Sequence, residues 1–195
     1  MNKQYVLAPQ PTLKRVADID GPDFYPTPKW ATKALLSKES FEGEIWECAC
    51  GDGAMSSVLK EANYKVFSSD LYDRGYGLAG IDFTQSERQT PNIITNPPYN
   101  LAEDFVHKGV SLSTNKFALL LRLAFLESAK RKSKIFDIYP PSRVWVFSER
   151  ITFYPKGALR KGSGTTAYAW FVWDHSFEGP TQLGWLPTGM KTKYR

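Results

Sequence analysis

Cysteine and histidine are scarce in this sequence of 195 residues, which contains two of each. Cys48 and Cys50 are separated by one residue, so a bridge between them would be strained and a disulfide framework is excluded. The histidines, His107 and His175, lie far from this pair in the sequence. Because a closed zinc site needs four ligands, we expect no metal site.

Long apolar runs are also missing from the sequence. Runs such as residues 117–121 are far too short to cross a bilayer. The first residues lack the apolar segment that a signal peptide requires. We therefore expect a cytoplasmic protein with no membrane partner.

The net charge of +5 is unevenly distributed along the chain. Residues 41–110 have a net charge of −6, whereas residues 111–195 have a net charge of +9. A basic region of this kind suits a polyanionic partner, although lysine and arginine are also common on ordinary protein surfaces. Charge alone therefore does not identify the partner.

Strand-like and helix-like segments alternate along the first two thirds of the chain, which predicts parallel strands in a doubly wound α/β sheet. Thr27 and Pro28 have the pattern of a helix N-cap and a first-turn proline. Residues 143–148 and 168–173 resemble strands with no helix between them, which predicts an antiparallel hairpin at a sheet edge. We expect residues 1–22 to be an extended lead-in and residues 23–195 to form a single domain. The other predicted strands are 44–48, 65–69, 92–95 and 116–121, and the predicted helices are 28–37, 54–62 and 102–113.

Three polar features follow predicted strands, at the edge of the sheet where ligands of α/β folds bind. Residues 47–53, Glu-Cys-Ala-Cys-Gly-Asp-Gly, form a glycine turn that lets the backbone approach a ligand closely. Asp70 ends the next strand, where a carboxylate can accept hydrogen bonds from two ribose hydroxyls. Each of these two features alone is also explained as a simple turn, but together they indicate a nucleoside site. The third feature is residues 96–99, Asn-Pro-Pro-Tyr.

These stretches together resemble the S-adenosylmethionine-dependent amino-group methyltransferases that carry an Asn-Pro-Pro-Tyr signature. Residues 24–28, Phe-Tyr-Pro-Thr-Pro, look like the amino-terminal cofactor motif of that family, and residues 82–83 look like its adenine-contacting pair. The glycine motif precedes Asn96 closely, which resembles the adenine-N6 DNA methyltransferases without an inserted recognition domain. Residues 120–127 and 170–173 look like the corresponding stretches of small phage-type members of this family. One departure is that residues 47–50 replace the commoner acid-Pro-small pattern.

The resemblance implies a Rossmann-like class I methyltransferase fold, with a mostly parallel seven-stranded sheet and a carboxyl-terminal antiparallel hairpin. It implies S-adenosylmethionine as the cofactor and a single catalytic domain with no separate target-recognition domain. The catalytic residues that it implies are Asn96, Pro97, Pro98 and Tyr99. The implied cofactor-binding residues are Tyr25, Thr27, Pro28, Glu47, Ala49, Gly51, Asp52, Gly53, Asp70, Leu71, Asp82, Phe83 and Asn96.

The signature suits an exocyclic amine, which is a poor nucleophile because its lone pair is delocalised into the ring. The side-chain oxygen of Asn96 and the carbonyl of Pro97 would accept both amine hydrogens and favour a pyramidal nitrogen with its lone pair aimed at the methyl group. Tyr99 would stack on a base flipped out of the duplex. Cytosine C5 methylation would need a nucleophilic cysteine after a proline, and neither cysteine is so placed.

Basic residues in the last part of the chain provide a candidate nucleic-acid surface. The loop of residues 157–166 contains no acidic residue and indicates either phosphate contacts or a solvated loop. The cluster at residues 130–134 is explained equally well by the negative end of a helix dipole. The predicted nucleic-acid-binding residues are Lys156, Arg160, Lys161, Arg122, Lys130 and Arg131.

The leading prediction is methyl transfer from S-adenosylmethionine to adenine N6 in DNA, by in-line displacement on a flipped base. The alternatives are cytosine N4 in DNA, amino groups in RNA, a glutamine amide in a protein, and a nucleic-acid-binding module without catalysis. Since no recognition domain fits beside the catalytic one, we expect short or loose sequence specificity. The oligomeric state is not predicted.

Overall fold

The computed structural model describes residues 24–154 and 164–194. The expected lead-in at residues 1–22 and most of the basic loop, residues 157–163, lie outside the described residues. No helix in the described ranges is long and apolar enough to cross a membrane. The strands are β1 (Ile45–Glu47), β2 (Val66–Ser68), β3 (Thr90–Thr95), β4 (Ser113–Arg122), β5 (Arg143–Val146), β6 (Tyr168–Asp174) and β7 (Gln182–Trp185). The α-helices are α1 (Lys29–Leu36), α2 (Ala54–Glu61), α3 (Ala102–Leu112), α4 (Ala129–Arg131) and α5 (Met190–Lys193).

The seven strands form one mixed sheet in the order β2-β1-β3-β4-β6-β5-β7. Strand β6 runs antiparallel to both of its neighbours, and all the other paired strands run parallel. Helices α1, α2 and α5 contribute to the apolar cluster on one face, whereas α3 and the helical turn of residues 132–136 contribute to the cluster on the other. The doubly wound α/β class predicted from the alternation is confirmed.

The apolar run at residues 117–121 is the centre of the sheet. Successive side chains of β4 alternate between the two faces: Ala118 and Leu120 enter one cluster, and Phe117, Leu119 and Leu121 enter the other. Because helices cover both faces, residues 117–121 of this strand are all apolar and show no polar alternation. The core therefore lies on both sides of β4 and holds the strand ends on which the candidate site is built.

The carboxyl-terminal hairpin was predicted correctly in its pairing but not in its position. Strands β5 and β6 pair antiparallel, as expected. The edge is instead β7, which pairs parallel with β5. Leu183 and Trp185 on this strand are 54% and 62% exposed, so β7 has no buried face to mark it in the sequence.

Helix α1 begins one residue later than predicted. Its N-cap is Pro28, in an extended conformation with φ −57° and ψ 134°, and no side chain caps the first turn. The prediction of Thr27 as the N-cap is therefore wrong. The hydroxyl of Thr27 instead bonds to Asn96, 69 positions along the chain.

Candidate active site

A cavity of about 230 Å³ opens at the carboxyl ends of β1, β2 and β3. Ligands of α/β folds bind at this end of the strands, where loops and helix starts converge. Its lining combines glycine-turn backbone, carboxylates, aromatic rings and the Asn-Pro-Pro-Tyr segment. The residues that line it are Phe24, Tyr25, Pro26, Thr27, Glu47, Cys48, Ala49, Cys50, Gly51, Asp52, Ala54, Met55, Asp70, Leu71, Tyr72, Arg74, Ile81, Asp82, Phe83, Asn96, Pro97, Pro98, Tyr99, Asn100, Leu101, Phe105 and Phe153.

The glycine turn joins β1 to α2 and forms one wall of this cavity. Gly51 and Gly53 have φ values of 55° and 80°, in the left-handed region that side chains other than glycine rarely adopt. A Cβ at Gly51 would lie 2.3 Å from Cε2 of Phe24, so the turn also needs glycine to pack against the amino-terminal segment. The turn is thus held tightly enough to present its backbone at the cavity.

Asp70 ties the second strand to this turn. Its side chain is buried, one carboxylate oxygen accepts from the Gly51 amide at 2.8 Å, and the other accepts from the Tyr72 amide at 2.9 Å. A carboxylate oxygen can accept about two hydrogen bonds. Each oxygen of Asp70 therefore retains capacity for a ligand hydroxyl.

Glu47, the last residue of β1, is a buried carboxylic acid. Its Oε2 accepts a hydrogen bond from Ser56, whose hydroxyl oxygen lies 2.6 Å from that of Ser68. Burial raises the pKa of Glu47 to about 8, and the negative charges of Asp70 and Asp52 act in the same direction. Glu47 is therefore mostly protonated at neutral pH, and Asp70 is the carboxylate that orders the glycine turn.

Asp82 and Phe83 form the opposite, more apolar wall. Oδ1 of Asp82 caps a short 3-10 helix by accepting from the amide of Thr84 at 2.9 Å and from its hydroxyl at 2.7 Å. The ring of Phe83 lies 5.3 Å from that of Trp46 and 4.7 Å from that of Phe105. These contacts fix an aromatic ring beside a carboxylate, an arrangement suited to a purine.

Asn96 immediately follows β3, and the nitrogen and oxygen of its side-chain amide differ in their hydrogen bonding. Its Nδ2 donates to the hydroxyl oxygen of Thr27 at 3.1 Å. Its Oδ1 is buried and has no hydrogen-bond partner among the described residues. Such buried acceptors are rare in folded proteins, and each calls for an explanation.

Tyr99 belongs to a group of aromatic rings that we call the aromatic mouth, formed by Tyr99, Phe153 and Tyr168. Tyr168 lies between the other two, with ring centroids 5.9 Å from Tyr99 and 5.0 Å from Phe153. The guanidinium of Arg122, at the end of β4, lies 5.0 Å from the centroid of the Tyr99 ring. Four separate elements thus bring aromatic and cationic groups to the opening beside Asn96.

The structure brings nearly all of the predicted catalytic and cofactor-binding residues to one cavity. All four predicted catalytic residues line it, as do all the predicted cofactor-binding residues except Pro28 and Gly53. Pro28 caps α1 and Gly53 caps α2. A Cβ at Gly53 would lie 2.5 Å from Cγ of Tyr76, so this glycine is needed for packing and backbone conformation.

Sequence reasoning missed several lining residues, of which Arg74, Phe105 and Phe153 are examples. Arg74 lies on the loop after Asp70, with its guanidinium 4.4 Å from the centroid of the Phe24 ring. Phe153 lies 54 positions beyond Tyr99 in the sequence. The only available signal for it was its place among aromatic residues after a strand, which is shared by many core residues.

The predicted nucleic-acid-binding residues have different environments. Arg122 is exposed at the end of β4, and Lys130 lies 3.7 Å from Glu103. Arg131 is occupied by backbone carbonyls, because it donates to Phe125 and Glu127, each at 2.7 Å. The remaining three, Lys156, Arg160 and Lys161, lie outside the described residues.

The two cysteines line the cavity as neutral thiols. Burial raises the pKa of Cys48 well above its usual value and that of Cys50 to about 12, and the charge of Glu47 raises both further. A thiol must ionise to act as a nucleophile. The cavity therefore lacks an activated cysteine.

Among residues 24–154 and 164–194, no group of three histidine, cysteine or acidic side chains could hold a metal ion.

The fold defines the class: this is the Rossmann-like architecture of class I methyltransferases, as three similar solved structures illustrate. A type I restriction-modification methyltransferase subunit from Streptococcus thermophilus matches 83% of this chain with a TM-score of 0.56 and 12% identity. A protein from Vibrio vulnificus named as a modification subunit of a type I restriction enzyme matches 85% with a TM-score of 0.57 and 12% identity. A protein from Listeria monocytogenes named as a class I S-adenosylmethionine-dependent methyltransferase matches 80% with a TM-score of 0.52 and 13% identity.

This chain spans 46%, 48% and 62% of those three chains, respectively. No protein-family model matches the sequence, and no curated protein matches it. At these low identities, the likeness to solved structures shows the fold alone.

Proposed function

We propose that this protein transfers a methyl group from S-adenosylmethionine to N6 of adenine in DNA. The observation that carries the proposal is the buried Oδ1 of Asn96, which lacks a partner among the described residues and belongs to a residue that lines the cavity. Leaving a buried acceptor unsatisfied costs about 1–3 kcal/mol. An amine hydrogen of the acceptor base would satisfy it and supply the donor that none of the described residues provides.

The chemistry of the lining fits the cofactor. Asp70 keeps acceptor capacity on both oxygens for ribose hydroxyls, and Asp82 and Phe83 provide a polar and an aromatic contact for adenine. The backbone of the glycine turn, with Ala49, Gly51 and Asp52, and the segment with Tyr25 would hold the remainder. When bound, S-adenosylmethionine supplies an electrophilic methyl group.

Asn96 and Pro97 perform the activating step on the acceptor. Oδ1 of Asn96 and the carbonyl oxygen of Pro97 accept the two hydrogens of the exocyclic amine, which draws the nitrogen towards a pyramidal geometry and frees its lone pair for attack. The prolines at 97 and 98 restrict the backbone, so the acceptors are positioned before substrate binds. Catalysis of this kind depends on positioning and electrostatics and needs no protein nucleophile, in agreement with the neutral cysteines.

The aromatic mouth supports a flat acceptor. Tyr99 and Phe153 line the cavity beside Asn96, and Tyr168 buttresses both. Stacking of a base on an aromatic side chain contributes about 1–3 kcal/mol. An enzyme can methylate a paired base only after flipping it from the stack, and this group of rings provides the receiving surface.

DNA is the proposed polymer because of the charge pattern and of the order of the motifs. Residues 111–195 have a net charge of +9, and the guanidinium of the exposed Arg122 lies 5.0 Å from the ring centroid of Tyr99, which lines the cavity. Two of the structures similar in fold are named as subunits of restriction-modification systems, and we transfer their DNA substrate to this chain as part of the proposal. Lys130 and the basic residues of the loop, Lys156, Arg160 and Lys161, would contact the phosphates.

The test is to incubate the protein with methyl-labelled S-adenosylmethionine and DNA and to analyse the nucleosides. We expect the label in N6-methyladenine. Label in N4-methylcytosine would correct the base, and label in RNA alone would correct the polymer. Label only in protein, or no transfer to any acceptor while S-adenosylmethionine binds, would overturn the proposed function.

A further inference from the structure

Thr27 lies at the junction between the amino-terminal segment and the Asn-Pro-Pro-Tyr segment. It is 7% exposed, and its hydroxyl oxygen accepts the 3.1 Å hydrogen bond from Nδ2 of Asn96. It does not cap α1, whose N-cap is Pro28 with no side-chain hydrogen bond. The hydroxyl is therefore committed to the side chain of Asn96 and to no local helix contact that the structure records.

The direction of this hydrogen bond matters because a carboxamide has a donor end and an acceptor end. An amine substrate needs the oxygen, and an amide turned by half a rotation would present its NH₂ group to another donor. With Nδ2 bonded to Thr27, Oδ1 is the end left for the substrate. A hydroxyl can accept this bond, whereas an isosteric methyl group cannot.

We propose that Thr27 is a positioning residue that sets the orientation of the Asn96 amide for the acceptor amine. The inference rests on the proposed function and adds a residue that acts through Asn96. The resemblance to the amino-group methyltransferases implies a cofactor contact for Thr27, so this assignment differs from that one.

The surroundings of Thr27 fix its position from two sides. The first turn of α1 is attached to the sheet by Trp170, whose Nε1 donates to the carbonyl oxygen of Ala31 at 3.0 Å. On the other side, the ring of Phe24 packs against the glycine turn at Gly51. The chain on either side of Thr27 is therefore anchored by contacts that do not involve Asn96, as the support of a positioning group must be.

The decisive variants are Thr27→Val, which keeps the shape and removes the acceptor, and Thr27→Ser, which restores it. Thr27→Val should lower kcat for methyl transfer to DNA about 10- to 100-fold, because the acceptor is no longer held in place. The dissociation constant for S-adenosylhomocysteine, measured by calorimetry, should change less than about threefold, because the Thr27 hydroxyl is bonded to Asn96 and is not assigned to the cofactor. A threefold change corresponds to RT ln 3, which is below 1 kcal/mol. Thr27→Ser should recover most of the rate.

Thr32 provides the matched control. It is also a buried threonine, on α1, but its hydroxyl has no partner among the described residues and it does not line the cavity. Thr32→Val should leave both kcat and cofactor affinity unchanged. If Thr27→Val instead weakens S-adenosylhomocysteine binding and keeps kcat at saturating cofactor, Thr27 is a cofactor ligand and the inference is wrong.

A second measurement separates this inference from the proposed function. The side-chain NH₂ resonances of Asn96, assigned by comparison with Asn96→Asp in ¹⁵N spectra of the intact protein, report the hydrogen bond without any turnover. They should shift in Thr27→Val and be nearly restored in Thr27→Ser. Unchanged resonances in Thr27→Val would overturn the inference, even if the protein methylates DNA. Conversely, the shift can be observed even if the wild-type protein transfers no methyl group.

Discussion

Buried polar groups at the two ends of the sheet are paired in opposite ways. At the end where β4 and β5 begin, the buried carboxylate of Glu39 accepts from Arg143 Nη2 at 3.0 Å, from Lys116 Nζ at 3.2 Å and from Trp145 Nε1 at 2.8 Å. At the end where β3 stops, the side-chain oxygen of Asn96 has no partner in the part of the chain that the structure describes. Full pairing accompanies a structural role, whereas an orphan acceptor in a cavity indicates a ligand.

Asp174 completes the paired end. It accepts from Arg143 at 2.7 Å and from the amide and hydroxyl of Ser176, and it lies 3.6 Å from Lys116. These contacts hold its pKa at about 2 despite burial, which alone would raise it. Two acids and two bases therefore balance one another where β4, β5 and β6 meet. No such balance exists at Asn96, and the difference can be tested at both ends.

The largest expected effect is at the orphan acceptor. Asn96→Ala should lower methyl transfer by about 100- to 1,000-fold or more, because a positioned electrostatic contact to the reacting group is lost. Cofactor affinity and the denaturation midpoint should stay near those of the wild type. Steady-state kinetics and urea denaturation measure the two quantities. Retained transfer would contradict the acceptor role, and a large loss of stability would remove the contrast between the two ends.

The second effect is at the paired end and concerns stability. Glu39→Ala leaves Arg143 and Lys116 with one acid between them, and should lower the free energy of unfolding by about 3–5 kcal/mol. Glu44→Ala is the control: its partners Lys65 and Arg88 are 82% and 43% exposed, so the loss should be about 1 kcal/mol or less. Denaturant titration of both variants compares them. Equal losses would show that burial of the network adds nothing.

The third effect is a pH dependence of stability that arises from Glu47, the last residue of β1 before the glycine turn. The pKa of Glu47 is about 8 in the folded protein and 4.5 in its ordinary state, so the folded protein binds the extra proton between these values. Stability should therefore fall as pH rises through this window, by about tenfold in the unfolding equilibrium constant per pH unit for one proton. Glu47→Gln should remove this slope, whereas the exposed Glu42→Gln should keep it. Urea denaturation across this pH window provides the measurement. An unchanged slope in Glu47→Gln would contradict the raised pKa of Glu47.

The smallest effect separates two of the predicted nucleic-acid-binding arginines, Arg122 and Arg131. Arg122→Gln should reduce the slope of log Kd against log salt for a DNA duplex by about one, if the exposed guanidinium contacts a phosphate. Arg131→Gln should leave that slope unchanged and lower stability instead, because its guanidinium serves backbone carbonyls. Anisotropy titrations at several salt concentrations measure both. If Arg122→Gln and the wild type have the same slope, Arg122 does not contact a DNA phosphate, and its contact is with the ring of Tyr99.

Much of the candidate site was predictable because its residues obey local rules. Glycines at positive φ, an acid at a strand end and two prolines after a strand each reflect a constraint within a few residues. The strands that these features follow are adjacent in the sheet, so their ends converge. Residues without such a rule were missed: Arg74 and Phe153 reach the cavity only through the course of their loops.

The fold shows the same division. The run at residues 117–121 was an apolar segment in the sequence and became the central strand, since helices cover both of its faces. Strand β7 left no pattern because it is exposed at the edge, where neither face must be apolar. Its presence moved the hairpin of β5 and β6 away from the edge that we had predicted.

The sequence by itself determined the alternation of strands and helices, the left-handed turn at Gly51 and Gly53 and the rigid segment at residues 96–99, because short-range sterics and periodicity impose them. Only the tertiary structure decided how the two polar atoms of the Asn96 side chain are paired. Nδ2 is bonded to Thr27, which is 69 positions away and reaches it through the packing of α1 on the sheet, whereas the buried Oδ1 has no partner among the described residues. Local chemistry can place an amide at a strand end. Its orientation depends on a neighbour that only the folded chain brings within hydrogen-bond distance.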